Sequence, residues 1–133
     1  MQLFEFIVPR RPLSHQGKNS ANKNAWKEFV LTQANAVWSG NVFNSGALRF
    51  TLVYLCEADP PDINNIIKPV QDALIGLVYA DDSLIVDVQG HLRMVDDVID
   101  VTGLTPILQD AVLRGTDCVY VRIDISRELN QLL

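Results

Sequence analysis

Apolar residues along this chain switch several times between strand-like and helix-like spacing. Leu3, Phe4, Phe6, Ile7 and Val8 form a short run closed by Pro9, which predicts a first strand. Arg10 to Lys23 is polar, carries Pro12 and Gly17, and predicts a loop of about fourteen residues. From Asn24 the period lengthens. Trp26, Phe29, Val30, Ala34, Val37 and Trp38 predict an amphipathic helix, with Asn22 or Asn24 as its cap and Gly40 beyond its end. Leu48 to Cys56 is dense in Leu, Phe, Val and Tyr and predicts a central or half-buried strand.

The segment Glu57-Ala-Asp-Pro-Pro61 is a hard break. Ile63, Ile66, Ile67, Val70, Leu74, Leu77 and Val78 then restore helical spacing, with Gly76 near the end of this second helix. Pro69 falls inside it, removes a donor, frees the carbonyl of Asn65 and predicts a kink. Ala80 to Ser83 is a polar turn. Leu84 to Met94 alternates loosely as a strand, with a bulge or bend at Gly90, and Val95 to Val101 extends it or adds a short strand. Thr105 to Leu113 predicts a short helix, entered by Pro106 and left at Gly115. Cys118 to Ile125 is the clearest alternation in the chain, and Ser126 to Leu133 has no clear pattern. The order strand, helix, strand, helix, strand, short helix, strand predicts an α+β fold. It is a mixed α/β layer in which a small sheet of about four strands carries two main helices on one face. Residues 1–133 read as a single domain.

Composition narrows the classes. At 48% hydrophobic and 20% charged, the chain is no disordered tail, collagen-like repeat or disulfide miniprotein. No apolar stretch approaches the ~18 residues of a membrane span, and Met1 to Pro9 lacks the pattern of a secretory leader, so the default location is the cytoplasm. The net charge of −5 argues against general nucleic-acid coating. It is unevenly spread: six of the eleven basic residues but two of the sixteen acidic ones fall in residues 1–49. Either one face suits an anion and another a cation, or the clustering is a solvated surface. Cys56 and Cys118 sit in apolar strand patterns and read as buried small residues, neither a zinc pattern nor a disulfide framework. Glycine-rich phosphate loops are absent.

The chemistry concentrates between Asp62 and Asp82. On a helix, Asn64, Lys68 and Asp72 are four apart and share one stripe, opposite Ile63, Ile66, Ile67, Val70 and Leu74. Each residue alone has an ordinary structural use: Asp62 as a helix cap, Lys68 with Asp72 as an i,i+4 pair, Asp81-Asp82 as a turn. Together they form a pattern. Asp62-x-x-Asn65-x-x-Lys68-x-x-x-Asp72-Ala-Leu-x-Gly76, then Asp81-Asp82, resembles the signature of RusA-type Holliday junction resolvases, from Asp62 to about Val86. The strand before it and the loop Pro12 to Gln16 fit that layout more loosely.

The resemblance implies a small, homodimeric, magnesium-dependent endonuclease acting on branched DNA, with manganese as a substitute ion. It also implies a role in DNA recombination and repair and a frequent prophage origin. Asp62 takes the place of the first metal-binding carboxylate, Asn64 stands where the family usually has a second aspartate, and Asp82 matches the third. Lys68 matches the active-site lysine, so the implied catalytic set is Asp62, Lys68 and Asp82, with Asn65, Asp72 and Asp81 secondary. The residue types suit the reaction. Phosphodiester cleavage needs a hard cation held by oxygen ligands and a positive group on the phosphate. Two departures stand out. Asn64 brings an amide oxygen without a charge, which implies weaker metal affinity and activity. The acidic stretch Glu57-Ala-Asp repels phosphate locally, which leaves the grip on DNA to Arg10, Arg11, Lys18, Lys23, Lys27 and Arg93. The alternative is a catalytically impaired relative that binds DNA or a protein. His15, His91, Trp26 and Trp38 read as surface or core residues.

Overall fold

The computed structural model describes residues 2–13 and 20–133; His15 and Lys18 lie outside the described residues. Four strands, β1 (Gln2–Val8), β2 (Leu48–Cys56), β3 (Ile85–Met94) and β4 (Cys118–Ile125), form one mixed sheet in the order β1-β4-β2-β3. β4 pairs antiparallel with both β1 and β2, while β2 and β3 are parallel. The helices are α1 (Ser20–Val37), α2 (Asn64–Ala73), α3 (Pro106–Arg114) and the short α4 (Leu129–Leu132). This is the α+β layer that the apolar periods indicate.

β2 is central in the sheet and covered on both faces, by α1 and α2 on one and by α3 on the other, which is why its sequence runs almost continuously apolar. Leu48, Phe50, Leu52, Tyr54 and Cys56 face the two main helices and are buried with Trp26, Val30 and Ala34 of α1 and Ile66 and Val70 of α2. Leu55 points the other way and packs with Cys118 and with Ala111 of α3. A polar knot fastens that second face. Glu5 accepts hydrogen bonds from the hydroxyls of Thr105 and Tyr120, tying β1 to β4 and to the cap of α3. Burial, and then this bond, push the Tyr120 hydroxyl up to about 12.

Several boundaries differ from the sequence expectation, each for a local reason. α1 starts at Ser20 rather than Asn24, because its first turn is built of Ser, Ala, Asn and Lys and carries no apolar periodicity. α2 stops at Ala73, short of Leu77 and Val78. Leu74, Ile75 and Leu77 donate to carbonyls three residues back, and Gly76 takes a φ of 89°, a left-handed turn that ends the helix. Val95 to Val101 forms turns and no strand. Trp26 and Trp38 belong to the core, Trp38 meeting the Phe4 ring at 5.1 Å.

Gly90 is neither bulge nor bend, since its pairing with Leu52 continues the register on both sides. It is a point of close approach. A Cβ there would stand 2.8 Å from Cδ1 of Ile67 and 3.4 Å from Cδ1 of Ile63, so α2 settles onto β3 through the missing side chain. Gly90→Val is expected to destabilise the fold by about 1–3 kcal/mol through overpacking. Urea denaturation checks this, and Ile67→Val in the same chain should recover part of the loss.

Candidate active site on the second helix

The chain reaches the site through the loop after β2. Arg11 donates to the carbonyls of Ala58 and Asp59, and Asp59 adopts a φ of 54°. Asp117 accepts from the Glu57 N–H and the Tyr54 hydroxyl, both at 3.0 Å. Burial works to raise the Asp117 carboxyl, but the bonds from Glu57 and Tyr54 and the Arg11 charge outweigh it and hold it below the usual range. The loop is thus clamped from two sides before it delivers Asp62.

Asp62 stands just before Ile63, the N-cap of α2, which has no side-chain cap bond of its own. Oδ1 of Asp62 accepts the N–H of Asn64 at 3.1 Å, and the Asp62 carbonyl accepts the N–H of Asn65 at 3.0 Å. Ile66, Pro69, Val70 and Ala73 bury one side of the helix. Asn64 and Lys68 stay exposed and Asp72 half-buried on the opposite stripe, each about 6 Å along the axis from the next. Pro69 sits in the buried side without interrupting the helix.

The turn after α2 is pinned to the core. The Tyr79 hydroxyl donates to the Gln71 carbonyl at 2.6 Å, and the Phe43 backbone exchanges hydrogen bonds with Val78 and Ala80. The Tyr79 hydroxyl is pushed upward, first by burial and then by the nearby charges of Asp82 and Asp72. Ser83 donates to Asp81 at 2.7 Å and is the leading cause that lowers the Asp81 carboxyl. Asp82 opens a single 3-10 turn, Asp82–Leu84, that leads into β3.

From there Asp82 meets Lys68. The ammonium of Lys68 bonds Oδ2 of Asp82 and lies 3.0 Å from Oδ1 of Asp72. Its pKa is raised, first by the bond to Asp82 and second by that to Asp72. The Lys68 side chain is 47% exposed, so the pairs are screened and contribute at most about 1 kcal/mol to stability. Their effect is to fix positions.

The geometry thus joins Lys68, Asp72 and Asp82, while the Asp62 carboxylate accepts the N–H of Asn64 and stands apart from that group. Asp72, a secondary residue on sequence grounds, is a direct partner of the lysine; the i,i+4 spacing was its signal. Tyr79 had no signal. Of the basic residues, Arg10 lies 3.7 Å over the Phe29 ring, Arg11 holds the loop before Asp62, and Lys23 and Lys27 sit half-buried on α1. His91 and Arg93 line a separate cavity of about 630 Å³ with Val53, Leu55, Ile99 and Leu108, on the α3 face of the sheet.

Residues 7–102, more than half of the 133, match the family model of endodeoxyribonuclease RusA. The chain belongs to the RusA endodeoxyribonuclease family. The matched residues contain β2, α2, the turn and all of β3. No curated protein matches the chain. Among the described residues, no helix is long and apolar enough to cross a membrane.

A divalent metal is what this family implies, and the donors here suit a hard one. Asp72 and Asp82 both touch one nitrogen, so their oxygens lie within about 6 Å of each other, and magnesium is commonly held by one or two carboxylates plus waters and phosphate oxygens. Among the described residues, no three His, Cys, Asp or Glu side chains gather as a metal cluster. A divalent ion held here would have Asp72 and Asp82 as its carboxylates. Asp62 has a structural duty that can be isolated: Asp62→Ala is expected to cost about 1 kcal/mol by loss of the bond from the Asn64 N–H, while Asp62→Asn keeps the acceptor and stays within about 0.5 kcal/mol. Denaturation midpoints without metal check the difference.

Proposed function

We propose that this RusA-family chain is a magnesium-dependent endodeoxyribonuclease that cuts branched DNA, in particular four-way Holliday junctions, in recombination and repair. The observation that supports this best is the meeting of Lys68, Asp72 and Asp82 on an open surface inside the matched segment. A bound magnesium or manganese ion would neutralise the phosphate and make a bound water a stronger nucleophile. Asp82 and Asp72 would hold that ion, and Asp62 and the amide oxygen of Asn64, at the helix start, would reach it through its bound waters. Lys68 would hold the scissile phosphate and the charge that develops on it. Asn65 and Asp81 would orient these groups. The basic arm, Arg10, Arg11, Lys18, Lys23 and Lys27, would lie along the DNA backbone. The 133 residues would act as one domain, and two copies would pair as a homodimer in the cytoplasm, because matched cuts across a junction call for two-fold symmetry.

A second reading has its own support. Asn64 withholds a charge, and the acidic loop before Asp62 opposes phosphate. An impaired relative that binds DNA or a protein would carry both features. Cleavage of a synthetic four-way junction with magnesium separates the two. Wild type is expected to cut, Asp82→Asn to lose about a hundredfold or more in rate, and Asn64→Asp to cut faster than wild type. An inert wild type beside an active Asn64→Asp would establish the impaired reading. Failure of both to cut or bind a junction would sink the nuclease reading.

A further inference from the structure

Lys68 stands where its own proposed partner would have to stand. Its ammonium lies between Asp72 and Asp82, one from α2 and the other from the turn before β3, and no other cation pairs with either carboxylate among the described residues. A single hard cation that reached both carboxylates would need that same space. The two carboxylates are poorly able to move aside. Asp72 is in the last turn of α2, beside Gln71, whose carbonyl takes the buried Tyr79 hydroxyl; Asp82 begins the 3-10 turn anchored through Ala80 to Phe43. The lysine is the mobile member, a flexible four-carbon stem that is half exposed.

We infer that Lys68 is a tethered counter-ion, which pairs with Asp72 and Asp82 in the resting protein, offsets one of their two charges, and must leave them before a divalent cation binds. This rests on the metal-dependent reading above and adds a coupling to it. The ammonium and the ion compete for the same two carboxylates, so Lys68 weakens ion binding. Once displaced, the ammonium stays within one side-chain length of the site, free to meet a phosphate. Ion entry would then release the very group that receives the DNA.

The test is direct binding of Mn2+ without DNA, by calorimetry and by the electron paramagnetic signal of the free ion. The proteins compared are wild type, Lys68→Met, Lys68→Arg and the double variant Lys68→Met with Asp82→Asn. Lys68→Met is expected to bind about tenfold more tightly than wild type, since a like charge a few ångströms from the ion is gone. Lys68→Arg should stay near wild type, and the double variant should lose the gain. Position 68 is exposed, and matching melting curves exclude misfolding as the cause. Equal affinity in wild type and Lys68→Met, with weaker binding in the double variant, overturns the counter-ion role while leaving the metal site. No binding by either protein at millimolar Mn2+ overturns both.

Discussion

The candidate site depends on the parallel pairing of β2 with β3. Parallel neighbours cannot be joined by a hairpin, so the chain must leave the top of β2, travel back across the sheet and re-enter at the foot of β3. α2 is that return path. The crossover puts the start of β3 beside the end of the helix, and Asp82 therefore reaches Lys68 from fourteen residues away in sequence. The missing side chain of Gly90 lets helix and strand approach closely enough for this contact. The polar stripe is a by-product of the same packing, because the residues opposite Ile66, Val70 and Leu74 have only solvent to face.

Much of this was legible beforehand. The period-two and period-four patterns give the order of elements, and Cys118–Ile125 and the core face of α1 follow directly from them. The stripe of Asn64, Lys68 and Asp72 needs only helical geometry. What periods could not supply was strand order. Nothing local in β4 tells it to insert between β1 and β2, since that choice is made by long-range burial. Periodicity overruns the end of α2 because Val78 is buried and Leu77 half-buried at helical spacing although the backbone has already turned; burial imposes a period on a compact turn as well as on a helix. Asp72 was undervalued for a similar reason. An i,i+4 pair reads as a surface pair until a third group arrives from a distant strand.

The electrostatics are local in a chain whose net charge is −5. Acidic groups next to α2 are mostly engaged: Asp62 by the helix backbone, Asp81 by Ser83, Asp72 and Asp82 by Lys68. Asp117 is spent on the loop that leads in. One ammonium offsets only one of the two charges of Asp72 and Asp82, so the stripe keeps net negative charge, which opposes a polyanion until a cation offsets it.

Arg11 has one more implication. Its guanidinium is bound to the carbonyls of Ala58 and Asp59, so it shapes the path by which the backbone enters α2. Charge-removing changes in the amino-terminal arm are therefore of two kinds. At Lys23 or Lys27 they subtract a cation from a helix surface; at Arg11 they also untie the strand-to-helix junction. Weakened substrate capture by an Arg11 variant would then report a shifted scaffold as readily as a lost backbone contact, and the two lysines are the cleaner probes of whether the arm meets nucleic acid as proposed.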